Sequence, residues 1–123
     1  PALYYNSPTR VIGHTVGAGG TVVQITSKAT GVSVNGRSGK ITTHGASLAA
    51  GAQVSFSVNN TSINAGDVVL VNISSGTSSY AGYVISANQS QNNGFFISLR
   101  NVTTGALADT LMLNFIALQA VFS

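Results

Sequence analysis

Apolar and polar residues alternate with a period of two along most of this chain, and glycine-rich turns interrupt the alternation. In the clearest run, Val54, Phe56 and Val58 alternate with serine and asparagine. Such alternation is typical of a strand that buries one face and leaves the other in water. About eight or nine such runs occur along the whole chain at roughly 8–12-residue spacing, and no segment has a convincing helical pattern. The chain is therefore predicted to be all-β, an antiparallel β-sandwich or jelly roll of about eight or nine short strands.

The first ten residues differ from the rest of the chain. Two prolines and an Asn-Ser pair disfavour regular structure there. We predict an extended N-terminal arm over residues 1–10, followed by a single β-sandwich domain over residues 11–123. Tyr4 and Tyr5 offer large contact area at low entropic cost, so they are candidates for anchoring the arm to a neighbouring subunit. A partly ordered terminus is the alternative interpretation.

Residues 31–44 carry the signals of a hairpin. Val32 and Val34 alternate with polar residues, and the Asn-Gly dipeptide at 35–36 is a strong turn signal because both residues tolerate positive φ. Residues 40–43 are predicted to continue as the second strand of this hairpin.

Two further runs carry apolar residues on both faces. Residues 68–74 are almost continuously apolar, which predicts a central strand covered on both sides. Residues 111–121 predict a long final strand, one face of which meets the core. The other face would meet the opposite sheet edge or another subunit, and Met112, Ile116 and Leu118 are its candidate subunit or capsid contacts.

Ionised side chains are scarce in this chain. Charged residues make up 6% of it, against about 25% in ordinary domains. The polar surface must therefore come from hydroxyl and amide side chains, which lose less on desolvation than ions do. Interfaces between proteins are likewise depleted in Lys, Glu and Asp. This composition predicts a protein that packs against copies of itself or against a larger particle; compositional bias in an all-β protein is the alternative.

The residues that usually carry catalysis are few. Asp67 and Asp109 are the only acids, and both stand next to turns, where Asp usually satisfies backbone N–H groups. His14 and His44 lie in different segments without a metal-ligand spacing. The chain has no Cys and no nucleophile elbow. We therefore predict a non-enzymatic protein without a metal or cofactor.

Basic residues exceed acidic ones and give a net charge of +3, but they are spread along the chain. Nucleic-acid binding needs a clustered basic patch, usually with aromatic residues for stacking, so this partner is not expected. No apolar run approaches the ~18 residues of a membrane helix, so no membrane partner is expected either.

Aromatic residues beside two polar loops leave carbohydrate binding open. Tyr80 and Phe96, together with Tyr83 and Phe95, flank these loops. Sugar platforms favour Trp, which is absent, and a role in the core is the other interpretation of the four residues. If the loops bind a host surface glycan or protein, Tyr80 and Phe96 are the candidate contacts.

Several segments together resemble a small module of tailed-bacteriophage virion proteins, which occurs free-standing or at the ends of tail fibres. The resemblance covers roughly residues 16–118, most of the chain. Its segments are Gly17–Gln24, Thr26–Val32, Ser38–Thr42, Ala46–Gly51, Asp67–Val69, Asn101–Leu107 and Asn114–Ile116.

This resemblance implies a structural protein of the virion, assembled in the cytoplasm of a bacterial host. Because a chain of 123 residues with no stalk, repeat or heptad is hard to reconcile with a whole fibre, we favour a capsid decoration (cement) protein. It would be a dimer or trimer that binds the major capsid protein and stabilises the head surface. The alternative is the receptor-binding tip of a tail fibre or tailspike, which would recognise a host surface receptor.

Overall fold

The computed structural model describes residues 19–119 in full and the backbone course of residues 3–6 and 11–14. Ten strands and one 3₁₀ turn occur within these ranges. The strands are β1 (Leu3–Asn6), β2 (Val11–His14), β3 (Gly19–Val23), β4 (Val32–Ser33), β5 (Ser38–Thr42), β6 (Gln53–Asn59), β7 (Val68–Ser75), β8 (Tyr83–Gln91), β9 (Gly94–Asn101) and β10 (Met112–Leu118), and the 3₁₀ turn Tyr80–Gly82 precedes β8.

Eight of these strands form two four-stranded sheets. Sheet 1 has the order β3-β5-β10-β7, and sheet 2 has the order β4-β6-β9-β8. The predicted all-β sandwich is confirmed. Both sheets are mixed rather than purely antiparallel, because β3 pairs with β5 and β4 pairs with β6 in parallel. The alternation rule predicts that strands exist, but it does not predict the direction in which distant strands pair.

The inward faces of the two sheets form one apolar core. Phe95 of sheet 2 and Phe115 of sheet 1 meet across the sandwich, with ring centroids 5.4 Å apart and planes tilted by 58°. Such tilted aromatic pairs add about 0.5–1.5 kcal/mol to the burial of their area. Other buried members are Ile41, Val69 and Leu113 from sheet 1 and Phe56, Val58, Ile97 and Leu99 from sheet 2.

The predicted hairpin over residues 31–44 is wrong. Its two halves belong to different sheets, β4 to sheet 2 and β5 to sheet 1. The chain does turn at Gly36, which has φ 121°. The buried Asn60 amide then holds this turn: its Oδ1 accepts from the Gly36 N–H at 3.2 Å and its Nδ2 donates to the Gly36 carbonyl at 2.7 Å. This contact directs the chain from one sheet to the other instead of back along β4.

The prediction that residues 68–74 form a central strand is also wrong. β7 is an edge strand of sheet 1, next to β10. Its inward side chains Val69, Val71 and Ile73 pack against the core. Its outward side chains Val68 and Leu70 are 46% and 55% exposed. β7 is apolar on both faces, but the core covers only its inward face.

Residues 3–6, within the predicted arm, form a strand where no regular structure was predicted. β1 and β2 pair in antiparallel register, with Leu3 opposite His14 and Asn6 opposite Val11. The pairing joins residues on both sides of the predicted arm boundary at residue 10. Apolar and aromatic residues in both segments favour strands, and this preference outweighs the nearby prolines.

Candidate functional site

The outward face of sheet 1 carries a continuous apolar patch. Strand register places Leu118 directly opposite Val68 and Ile116 directly opposite Leu70. We call these four residues the apolar patch. Directly opposite residues on adjacent strands have Cβ atoms about 4.5–5.5 Å apart, so the two members of each pair lie side by side on this face. A shallow depression lies beside them, lined in part by Leu70, Asn72 and Asn114.

A row of neutral polar residues and one cation borders the apolar patch. Asn114 of β10 lies opposite Asn72 of β7 on one side and Lys40 of β5 on the other, and Lys40 lies opposite Thr21 of β3. We call these four residues the polar row. All four are exposed. Within residues 19–119, none of their side chains has a hydrogen-bond partner, so their donors and acceptors are available to a binding partner.

The outward face of sheet 2 has a different character. Its strands present hydroxyl and amide side chains that hydrogen-bond to one another. The hydroxyls of Ser55 and Ser98 are 2.8 Å apart, and Nδ2 of Asn88 donates to Ser98 at 3.0 Å. Val84 is the one large apolar side chain described as exposed on the strands of this face, and Phe96 lies half-buried on it. The two faces therefore offer different surfaces to a partner.

The Asp67 carboxylate makes its hydrogen bonds within the fold. Its Oδ2 accepts from Arg37 at 2.7 Å and from the Asn64 N–H at 2.9 Å. The Asp67 side chain is 2% exposed in this ion pair. Asp67 thus satisfies a local backbone N–H group, as its position next to a turn predicts.

Asp109 is the centre of a polar cluster at one end of the sandwich. Its Oδ2 accepts from the Tyr83 hydroxyl at 2.7 Å and from Thr77 at 2.9 Å, and its carbonyl accepts from Lys28 Nζ at 2.6 Å. Lys28 Nζ also donates to the His44 carbonyl. These contacts join four segments that are distant in sequence.

The same cluster shifts two pKa values. Burial lowers the pKa of Lys28, and the Asp109 charge offsets part of this effect. Burial, the hydrogen bond to Asp109 and the Asp109 charge all raise the pKa of Tyr83 above its usual range. Both groups are buried, and their partners lie within the fold, so we assign the cluster a structural role.

The predicted contact residues occupy two different regions. Met112, Ile116 and Leu118 lie half-buried on the outward face of sheet 1, and their role as contacts stays a prediction. The side chains of Tyr4 and Tyr5 lie outside the described part of the structure.

Tyr80 and Phe96, the contacts of the alternative interpretation, lie far from each other. Tyr80 begins the 3₁₀ turn that precedes β8, whereas Phe96 lies opposite Asn88 towards the far end of the same strand. The stretch from Tyr83 to Asn88 alone spans about 17 Å at ~3.3 Å per residue. Tyr80 and Phe96 therefore do not form one stacking platform. Tyr83 and Phe95 are buried in the core.

Sequence reasoning missed Val68, Leu70 and Lys40 as members of the face. The apolar run of β7 is the signal for Val68 and Leu70, but the same run is typical of a strand buried on both faces. Lys40 gave no local signal, because its position beside Asn114 follows from long-range pairing.

The ranges that the structure describes contain neither a metal-binding cluster nor a membrane-spanning helix. No group of three or more His, Asp or Glu residues there could hold a metal ion. No helix in those ranges is long and apolar enough to cross a membrane.

The chain was compared with protein-family models, with curated proteins and with solved structures. None of the three comparisons found a match.

Proposed function

We propose that this chain is a structural protein of a bacteriophage particle, which docks on a protein surface through the outward face of sheet 1. The apolar patch of Val68, Leu70, Ile116 and Leu118 is the single observation that carries this proposal. It lies on two paired strands, so its shape is fixed before binding and little entropy is lost on docking.

The energetics of this face favour binding to another protein. Each ~100 Å² of apolar surface removed from water contributes about 2.5 kcal/mol. The neutral side chains beside the patch lose less on desolvation than ions would. An interface core with few charged residues is the usual composition of protein–protein contacts.

Within this class, a capsid decoration protein is the function we favour. The resemblance to small virion modules of tailed phages supports it, as does the scarcity of charge over the whole chain. Many copies bound across capsomer joints would favour the assembled shell by mass action, because they bind the assembled state and not its separated parts. The chain would act as a dimer or trimer, with Tyr4 and Tyr5 at the subunit contact.

The receptor-binding tip of a tail fibre or tailspike is the second candidate. The exposure of Tyr80 favours it. The separation of Tyr80 and Phe96 along β8 counts against one aromatic platform for a sugar, so this function has less support from the geometry.

The experiment is to locate the protein in purified particles of the phage that encodes it, using gold-labelled antibodies and mass spectrometry. We expect label on heads. Purified protein should then rebind heads that lack it and raise the temperature at which they release DNA. Label at fibre tips, with host-cell binding that Phe96→Ala abolishes, would support the second candidate instead. If no copy is present in purified particles, both are wrong.

A further inference from the structure

We infer that the outward face of sheet 1 binds a different protein, whose surface combines an apolar area with a carboxylate placed to meet Lys40. This inference rests on the proposed function and specifies the chemistry of the partner. It follows from where the structure places the few charges of the chain.

Both acids of the chain are used within the fold. Asp67 pairs with Arg37, and Asp109 accepts from Thr77 and Tyr83. The sequence contains no other acidic side chain. The part of the chain that is described in full therefore has no exposed carboxylate without internal partners.

Four of the five basic residues lie in the part of the chain described in full, and only two of these four are used within the fold. Lys28 is buried against backbone carbonyls, and Arg37 is held by Asp67. Lys40 and Arg100 are exposed, and within residues 19–119 neither has a hydrogen-bond or ion-pair partner. Lys40 lies on the face that carries the apolar patch, and Arg100 lies on β9 in the other sheet.

A partner that covers the apolar patch also covers or borders Lys40. Along β10, Asn114, the neighbour of Lys40, is two residues from Ile116, which is about 7 Å, and β5 lies about 5 Å to the side of β10. An unpaired buried charge is costly, so an ammonium group that loses water at an interface is best satisfied by a carboxylate, which binds it more strongly than a neutral oxygen does. A carboxylate within this distance of the apolar contact would satisfy the Lys40 ammonium.

A second copy of this chain does not provide such a group. A face-to-face dimer uses the same surface on both subunits, so it would place the polar row of one copy against that of the other. That surface contains Lys40 and neutral amides and hydroxyls, but no carboxylate. Charge complementarity therefore favours a different protein over self-association at this face.

Zero-length cross-linking tests this inference directly. A carbodiimide joins a lysine amine to a carboxylate in contact with it, and Lys28 is buried, so Lys40 is the lysine available. After reaction of the purified protein with heads that lack it, we expect mass spectrometry to identify Lys40 joined to an Asp or Glu of a head protein. A link from Lys40 to Asp67 or Asp109 of another copy would overturn the inference.

Matched variants provide the second measurement. We expect Lys40→Glu and Leu70→Ser each to weaken head binding by about tenfold or more, and Lys40→Gln to make binding less sensitive to salt. The controls are in sheet 2, where Arg100→Glu also reverses an exposed positive charge and Val84→Ser also makes an exposed apolar side chain polar. Both should bind within about twofold of the unmodified chain. All variants should keep the melting temperature of the unmodified chain, because the altered side chains are exposed.

The outcomes separate this inference from the proposed function. If the unmodified chain binds heads and Lys40→Glu binds equally well, the inference is wrong and the decoration function stands. If Leu70→Ser changes the oligomeric state of the free protein in sedimentation but not head binding, a second copy occupies the face and the inference is again wrong. If the unmodified chain binds no part of the particle, both the proposed function and the inference are wrong.

Discussion

The guanidinium of Arg37 donates to the carboxylate of Asp67 across 2.7 Å, and this contact ties the start of β5 to the start of β7. Arg37 also donates to the Ser62 carbonyl at 2.8 Å. The pair lies where the chain leaves the Asn35–Gly36 turn, so it holds the crossing between the two sheets. It also removes one of the two acids from the surface.

Breaking this pair should destabilise the fold strongly. Arg37→Met leaves a carboxylate that is 2% exposed without its counter-ion, and loss of one member of a buried pair costs about 3–5 kcal/mol. Chemical denaturation should show this loss in the free energy of unfolding. Arg100→Met, which removes an exposed guanidinium, should change it by no more than about 0.5 kcal/mol. Equal effects of the two substitutions would show that the pair contributes little.

A second prediction concerns the close approach of backbone to core at Gly39. A Cβ at this position would lie 2.6 Å from the Phe115 ring and 2.9 Å from the Gly20 carbonyl oxygen. Gly39→Ala should therefore destabilise the protein by about 1–3 kcal/mol, measured as a lower midpoint in denaturant. Gly105→Ala, where a Cβ meets nothing within 4 Å, is the control and should be near neutral.

A double mutant distinguishes the ring from the backbone as the cause. Phe115→Leu removes the ring atoms that the new Cβ would meet. If the ring is the obstacle, Gly39→Ala should cost less in the Phe115→Leu background than alone, because contacting residues are not additive. Strict additivity would assign the cost to the Gly20 carbonyl instead.

The all-β class and most strands could be predicted from local sequence, because alternation reports which side chains are buried. Phe56 and Val58 point inward as their pattern predicts. The pattern fails at the end of β3, where Val23 is 64% exposed and the next residue, Gln24, is 2% exposed. The Gln24 side chain donates to the carbonyls of Lys28 and Thr30 and accepts from the His44 N–H. Three hydrogen bonds compensate its burial, and the alternation of apolar and polar residues identifies none of their partners.

At the candidate site, too, local sequence identifies the residues of one strand but not those of the strands paired with it. Met112, Ile116 and Leu118 could be named as one face of β10, since alternation along a single strand is local. Their neighbours Leu70 and Lys40 come from strands paired at long range, in antiparallel register on both sides of β10. Which residues complete the surface therefore depends on strand order, and several strand orders fit the same alternation.

A third prediction concerns Tyr83 at alkaline pH. Burial and Asp109 raise the pKa of the Tyr83 phenol, so the folded state keeps a proton that unfolded tyrosine releases near pH ~10. This contribution to stability is complete below pH ~10 and is lost as pH rises further. Tyr83→Phe should cost about 1.5–3 kcal/mol near neutral pH, through loss of a hydrogen bond to a charged group. The cost should shrink above pH ~10.

Unfolding by denaturant at neutral pH and at pH ~11 measures this change. Tyr80→Phe is the matched control, because Tyr80 is exposed and its hydroxyl has no partner within residues 19–119. A cost for Tyr83→Phe that stays constant between the two pH values would contradict the assignment.

The last prediction concerns Lys28, whose pKa burial lowers. The unfolded state then binds a proton more readily than the folded state, so stability should rise with pH between the folded-state pKa and about 10.5 and level off above it. Each unit by which the pKa is lowered corresponds to about 1.4 kcal/mol. Lys28→Met keeps most of the length of the side chain and removes the titration, so the unmodified protein should gain stability relative to this variant as pH rises towards about 10.5.

Comparison with the Lys28→Met variant isolates this effect, because both proteins contain Tyr83 and its opposite dependence on pH. Lys40→Met, which removes an exposed ammonium group with no hydrogen-bond partner in residues 19–119, is the control for the loss of a lysine side chain. A relative stability of Lys28→Met that does not change with pH would mean that the carbonyls of His44 and Asp109 fully compensate the burial of the charge. In that case the two hydrogen bonds, rather than desolvation, would determine the protonation state of this lysine.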